Sequence, residues 1–402
     1  MNKIKEGYKM TELGEIPIEW KVKSLDDICD FKGRIGWRGY TKDDLREIGP
    51  LVIGATQISN SNRLDFSNPT YLSEEKYEES PEIKVYLNDI ILVKTGNTIG
   101  KVAIVDKEIG NATINPNTVL LKNIECFNRY LYYIIVSEII QKPLKKSITV
   151  GAQPSVNQET LKKILIPIPT EKEQKKIALI LSTVDEQIDN VDSLIEKNKE
   201  LKKGLMQTLL TKGIGHTKFK KTEIGEIPEA WEVKKLGDIF KLSSGNFLSQ
   251  KNIVEGCYPV YGGNGVNGYH NEYMFQESKL VIGRVGAKCG CVCLSQSKAW
   301  ITDNALYISE KVKEFDDKYM YYLLDSINLN SYANQNAQPV ISGQKIYGIY
   351  VAYPNINEQI KIAKILLEID EKIKEHKNKK QKLEELKKGL MQQLLTGNIR
   401  IN

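Results

Sequence analysis

The chain has 402 residues, 41% of them hydrophobic and 27% charged, with a formal net charge of +6. That length exceeds what one hydrophobic core usually organises, so two or more domains are expected. The composition is ordinary for a soluble globular protein, no apolar run is long enough to cross a bilayer, and residues 1–5 have no apolar signal region behind them, so a cytoplasmic protein without a membrane partner is expected. A pI near 8.7 mildly favours a polyanionic partner.

Along the chain, Thr11-Glu-Leu-Gly-Glu-Ile-Pro17-Ile-Glu-Trp20 comes first and returns 211 residues later as Thr222-Glu-Ile-Gly-Glu-Ile-Pro228-Glu-Ala-Trp231. The match runs on through Leu25-Asp-Asp-Ile28 and Leu236-Gly-Asp-Ile239. An internal repeat of this kind means two copies of one structural unit. Behind each opening lie short alternating apolar runs separated by glycine and asparagine turns, such as Val85–Val93 and Leu280–Arg284. They predict mixed α/β domains rich in strands, with a twisted sheet.

A glycine turn follows each run. Lys94-Thr-Gly-Asn-Thr-Ile-Gly100-Lys101 corresponds to Arg284-Val-Gly-Ala-Lys-Cys-Gly290 at an offset of 190, keeping the leading cation and both glycines. Glycine permits close backbone approach, and Lys or Arg can neutralise phosphate or read guanine. A hairpin with a solvated basic residue would look the same. Asn115-Pro-Asn117 lacks the second proline and aromatic residue of an amino-methyltransferase motif and reads as a turn.

Pro169-Thr-Glu-Lys-Glu-Gln174-Lys-Lys-Ile-Ala178 matches Pro354-Asn-Ile-Asn-Glu-Gln359-Ile-Lys-Ile-Ala363 at an offset of 185, and so does Leu201-Lys-Lys-Gly-Leu-Met-Gln207 with Leu386-Lys-Lys-Gly-Leu-Met-Gln392. The first globular region is thus longer by 26 residues. Ile177, Leu181, Val184, Ile188, Val191 and Ile195, and likewise Ile362, Leu366, Ile369 and Ile373, alternate steps of four and three. That narrow stripe predicts two long helices with a coiled-coil seam, packing on each other in preference to their own domains. Thr170 with Glu173 and Asn355 with Glu358 have capping-box spacing, while Gly213 and Gly397 are the expected stops. The segment 212–221 is the natural linker between the halves.

Usual catalytic signatures are missing. Gly263-Asn-Gly-Val-Asn-Gly268 formally matches a dinucleotide loop but has no helical period after it, so a turn-rich binding loop is expected. There is no phosphate-binding P-loop, and His216, His270 and His376 are too scattered for a triad. Cys289, Cys291 and Cys293 would share one face of a strand and read as small buried side chains before a zinc site; disulfides are not expected.

Asn and Gln can read adenine, and aromatic residues can stack on bases. The candidate DNA-binding residues are Arg34, Arg38, Lys94, Thr95, Asn97, Lys101, Gln153, Asn246, Gln250, Lys251, Asn264, Asn267, Tyr269, His270, Arg284, Lys288, Asn304 and Gln338. About a third of such a set is expected to touch DNA, the rest being surface or turn residues.

The Leu/Ile-Gly-x-Ile-Pro-x-x-Trp openings, the Ala-Gln-Pro segments at Ala152–Pro154 and Ala337–Pro339, and the Pro-x-x-x-Glu-Gln-x-x-Ile-Ala helix starts, in that order twice over, resemble the specificity subunit of type I restriction-modification systems. The resemblance implies an α+β chain with a pseudo-twofold repeat: target-recognition domains over 1–169 and 213–353, separated by long helices over 170–212 and 354–402 that form an antiparallel coiled coil. It implies a non-catalytic subunit whose domains each read half of a bipartite, asymmetric DNA target. The helices would set the spacing and dock methyltransferase subunits, with motor-nuclease subunits as further partners. S-adenosylmethionine, ATP and magnesium would belong to those partners, leaving no cofactor and no metal in this chain. The rival expectations are a structural protein-protein adaptor that does not read DNA and a methyltransferase with an atypical cofactor site.

Overall fold

In the computed structural model the described residues are 4–34, 39–149, 154–249, 251, 253, 256–334 and 339–401. They form two compact units, one of Met1–Asn190 with Lys379–Asn402, the other of Val191–Asn378. Each long helix, Glu171–Lys212 and Ile356–Leu394, is shared between the units.

In the first unit the hairpin of Tyr8–Thr11 with Gly14–Pro17 leads into Trp20, which is fully buried. Lys21–Ser24 then pairs with Leu165–Ile168, the strand just before the first long helix. The middle of the unit is a four-stranded antiparallel sheet in the order Asp30–Lys32, Thr118–Lys122, Ile90–Val93, Val102–Ile104. Because side chains alternate across a strand, this sheet is buried on both faces. Ile90, Leu92, Val119 and Leu121 join a core with the helix Asn128–Val136. Ile91, Val93 and Leu120 join a second core, under a three-stranded sheet of Tyr71–Leu72, Leu45–Ile53 and Ala112–Ile114.

The second unit repeats this plan. Its hairpin is Phe219–Thr222 with Gly225–Pro228, its closing pair Glu232–Lys235 with Tyr350–Tyr353, and its four-stranded sheet runs Phe240–Ser244, Ala305–Lys311, Leu280–Gly283, Val292–Leu294. Its smaller sheet is Gly265–His270, Tyr258–Gly262 and Trp300–Ile301.

Within the first unit, Asp185 meets Lys387 and Glu173 meets Arg400; within the second, Lys202 meets Asp370 and Glu358 accepts from the Ile214 amide. As one helix advances its partner retreats, so the two helices run antiparallel in each unit. Their first and last turns also enter the domain cores: Ile177, Leu181, Leu394 and Leu395 in one, Leu209, Leu210, Ile362 and Leu366 in the other.

The helix starts differ from the expected capping box in one respect. Thr170 and Asn355 do accept from the amides of Glu173 and Glu358, at 3.4 and 3.1 Å. The glutamates, however, reach the opening tryptophans: Trp20 Nε1 donates to Glu173 and Trp231 Nε1 to Glu358, each at 2.9 Å. Gln174 and Gln359 accept from the amides of Phe127 and Asp316, at 2.8 and 3.1 Å. The repeated Glu-Gln therefore clamps each helix start to its own domain.

Three sequence expectations are corrected. Only Ile90–Val93 of the run from Val85 is strand, because Asn88 at φ 71° and the Asp89 carboxylate, accepting from the Tyr86 amide at 2.8 Å, make a turn there. Cys289 and Cys291 lie in a turn and only Cys293 is in the strand Val292–Leu294; Gly290, at φ 84°, bends the chain between them, and only Cys289 is fully buried. The 212–221 linker ends early, since Phe219 already starts a strand, and it is anchored where His216 Nε2 sits 2.8 Å from Glu358.

Candidate nucleic-acid interface

Each unit gathers three loops at the end of its central sheet. In the first, the Lys94 amide donates to the Asn117 carbonyl at 2.9 Å, the Lys94 carbonyl accepts from Val156 at 2.9 Å, and the Gly96 amide donates to Pro154 at 2.9 Å. In the second, the Arg284 amide donates to Asn304 at 2.9 Å, the Arg284 carbonyl accepts from Ile341 at 3.0 Å, and the Gly286 amide donates to Pro339 at 3.0 Å. The cation-led turn, the asparagine turn and the segment that begins at Pro154 or Pro339 thus meet in the same way twice.

The two glycines of each turn are required for different reasons. Gly96 and Gly286 both have φ near +96°, a left-handed conformation that disfavours any side chain, though the space around them is open. At Gly290, with φ 84°, a Cβ would also lie 2.5 Å from the Asn330 amide nitrogen.

The candidate side chains divide into three groups. Lys94 is half-buried, and burial holds its pKa below the usual lysine value; among the described residues no ion pair to it is seen. Thr95 bridges to Ser155, and Asn97 is exposed on the turn. Arg284 reaches Ser244 Oγ at 3.4 Å, with Lys288 and Asn304 exposed beside it. The Gly263–Asn264 tip of the second unit's smaller sheet closes on this turn, since a Cβ at Gly263 would meet the Val285 carbonyl at 2.4 Å. The formal dinucleotide motif is therefore a β-hairpin. It carries exposed Asn264, Asn267 and Tyr269, and His270, whose ring meets Trp300 edge-on at 5.3 Å. Asn246 is exposed nearby, its amide bonded to Ile301, while Lys251 is exposed on the same connection.

A second group is committed to the fold. Arg34 is 5% exposed and donates to the Ile114 carbonyl at 3.1 Å and to Thr113 Oγ1 at 3.0 Å, so its guanidinium holds two segments together instead of facing solvent. Lys101 Nζ donates to the Ile58 carbonyl at 2.9 Å, which ties down the extra segment of the first unit. Finally, Arg38, Gln153, Gln250 and Gln338 lie outside the described residues.

Two surface groups escaped sequence reading. Phe247 is 76% exposed beside Asn246, and Trp300 Nε1 donates to the Asn246 carbonyl at 3.2 Å. An isolated aromatic next to an asparagine was the available signal. Among the described residues no group of His, Cys, Asp or Glu could hold a metal ion, and no helix is long and apolar enough to cross a membrane.

The arrangement agrees with known proteins. The family model for the type I restriction modification DNA specificity domain matches residues 17–202 and again 228–385. A putative type I restriction enzyme MjaX specificity subunit from Methanocaldococcus jannaschii is 32% identical over 425 residues, covering 98% of this chain and 97% of its own. The EcoprrI specificity subunit of Escherichia coli is 29% identical over 345 residues, covering 84% of this chain and 80% of its own. In fold, the crystal structure of a type I restriction-modification S subunit from M. genitalium superposes with a TM-score of 0.61 at 19% identity, over 98% of both chains. With both copies of the repeat matched by one family model and a relative aligned nearly end to end, this chain belongs to the type I restriction-modification DNA specificity family.

Proposed function

We propose that this chain is the DNA sequence-recognition subunit of a type I restriction-modification complex and is not itself an enzyme. Residues 1–169 and 213–353 are the target-recognition domains, each reading one half of a bipartite, asymmetric sequence. Residues 170–212 and 354–402 are the scaffold that sets the gap between half-sites. Lys94, Arg284 and Lys288 neutralise phosphates, giving salt-sensitive affinity, while Asn97, Asn246, Asn264, Asn267 and Asn304 face base edges.

The observation that carries this reading is the loop cluster, present once per unit. Its frame is kept by the same backbone hydrogen bonds, while its side chains differ: Lys94 against Arg284, Asn97 against Ala287, Lys101 against Cys291. Equal frames with unequal side chains suit two half-sites of different sequence. No observation favours a pure adaptor, which would leave the repeated cation-led turns without a role.

The partners are methyltransferase subunits, with motor-nuclease subunits completing a restriction complex; S-adenosylmethionine, ATP and magnesium act there, in the cytoplasm. Each unit offers a docking place. A groove of about 450 Å³ lies among Ser137, Glu138, Lys388, Met391, Gln392 and Thr396, and one of about 520 Å³ among Asp325, Ser326, Lys203, Met206, Gln207 and Thr211. Both are lined by the repeated Lys-Lys-Gly-Leu-Met-Gln segment, which suits two copies of one partner. Because that partner must turn adenine out of the stack, this subunit grips the flanking DNA.

Co-expression with the cognate methyltransferase, followed by sequencing of modified bases in host DNA, tests the reading. A bipartite motif with unlike halves is expected, and no modified motif from an active preparation would sink it.

A further inference from the structure

Each unit contains a polar cluster that the loop site does not use. In the first unit Asp185, on the first long helix, has a side chain only 8% exposed. It accepts from Tyr133 Oη at 2.8 Å and pairs with Lys387 Nζ, on the second long helix, at 2.6 Å. In the second unit Asp370, on the second long helix, accepts from Tyr322 Oη at 2.6 Å and from Lys202 Nζ, on the first long helix, at 2.7 Å. The repeat maps Asp185 onto Asp370 and Lys202 onto Lys387, so the two clusters are one device used twice with the helices exchanged.

The likeness extends to detail. Tyr133 packs edge-on against Tyr132 at 5.1 Å and Tyr322 against Tyr321 at 5.0 Å, and each lysine lies over its tyrosine ring, at 5.8 and 5.1 Å. Burial first, and the aspartate second, raise the pKa of both tyrosines, so both hydroxyls remain donors.

Each carboxylate is held from three elements: its own long helix, the other long helix, and a helix of the globular domain, Asn128–Val136 or Asp317–Ser326. The apolar contacts that seat each domain on the helix pair are non-directional, and so distinguish weakly between neighbouring seatings. The carboxylates do distinguish, Asp185 at 8% side-chain exposure more sharply than Asp370 at 35%, because any shift that strips their donors leaves a charge unpaired. A single buried polar residue fixes register in coiled coils by the same argument.

We propose that these clusters are positioning pins, which fix the angle and axial seat at which each domain presents its loop cluster and so make target reading strict in half-site spacing. This rests on the reading of the chain as a DNA specificity subunit. Tyr322 and Asp370 are then positioning residues that set specificity without touching DNA.

The test uses the assembled methyltransferase complex. Once the wild-type motif and its spacer are known, modification rates are measured on duplexes with the native spacer and with one base pair added or removed, for wild type, Tyr322→Phe and Asp370→Asn. Both variants are expected to modify the native target while the native-to-shifted rate ratio falls about five-fold, the scale set by the net contribution of one hydrogen bond. An unchanged ratio in the variants overturns the pin. Should Asp370→Asn fail to fold, Tyr322→Phe, which removes one hydroxyl, decides alone. A wild-type complex that modifies no motif overturns the function reading instead.

Discussion

The two units share one frame and fit it out differently. Glu173 and Glu358 hold equivalent tryptophans, but the first is also bound by Arg400, at 2.8 Å, and the second by His216, at 2.8 Å, and the Ile214 amide, at 3.1 Å. Asp185 is additionally approached by Arg63 at 3.7 Å, and Arg63 also pairs with Asp189 at 3.0 Å. Arg63 comes from a segment with no counterpart in the second unit, where Tyr258–Gly262 turns directly into Gly265–His270. Contacts that join a domain to the helix pair are therefore kept, and the first unit adds to them. Contacts that face outward from the loops are not kept. The division separates the scaffold's work from the reader's.

The largest effect should fall on what is shared. Trp20→Ala and Trp231→Ala each remove a side chain at most 1% exposed together with its bond to a glutamate at a helix start, and each should cost about 3–5 kcal/mol in chemical denaturation. A large loss from one and none from the other would break the equivalence of the units. Next come the readers. Lys94→Glu and Arg284→Glu should each weaken binding of the assembled complex to its target by roughly tenfold or more, and lower the salt dependence by about one phosphate contact. Unchanged affinity in both would favour the adaptor.

Smaller effects test the asymmetry. Tyr133→Phe should relax spacer discrimination less than Tyr322→Phe, because Arg63 still reaches Asp185; in an Arg63→Ala background the two should become equal. Lys94→Met should leave the thermal midpoint unchanged or raised while DNA affinity falls. Burial depresses the Lys94 pKa below its unfolded value, so the fold disfavours the charged form and gains stability as pH rises through the folded pKa. A clear drop in midpoint at neutral pH would show that the lysine supports the fold instead of waiting for an anion.

The sequence made the long helices legible because the stripe from Ile177 to Ile195 repeats at a period that only a helix satisfies. The repeated openings were legible as words, although their partners were not. Nothing local in Trp20 tells that it reaches Glu173, 153 residues on. Arg34 and Lys101 read as DNA-binding candidates because the backbone carbonyls they donate to, Ile114 and Ile58 on distant strands and loops, carry no sequence signal. Tyr130-Leu-Tyr-Tyr133 and Tyr319-Met-Tyr-Tyr322 are visible as a repeat at an offset of 189, but aromatic residues on a helix read first as core. Only the carboxylates opposite them reveal the second role.

The hydrogen bonds that assemble each loop cluster run through main-chain atoms of Lys94, Gly96, Arg284 and Gly286. Outward side chains on those loops can therefore be exchanged without dismantling the platform that presents them. Over generations, a lineage could acquire a new address on the genome by point substitution alone, with no need to invent a new fold or a new docking surface.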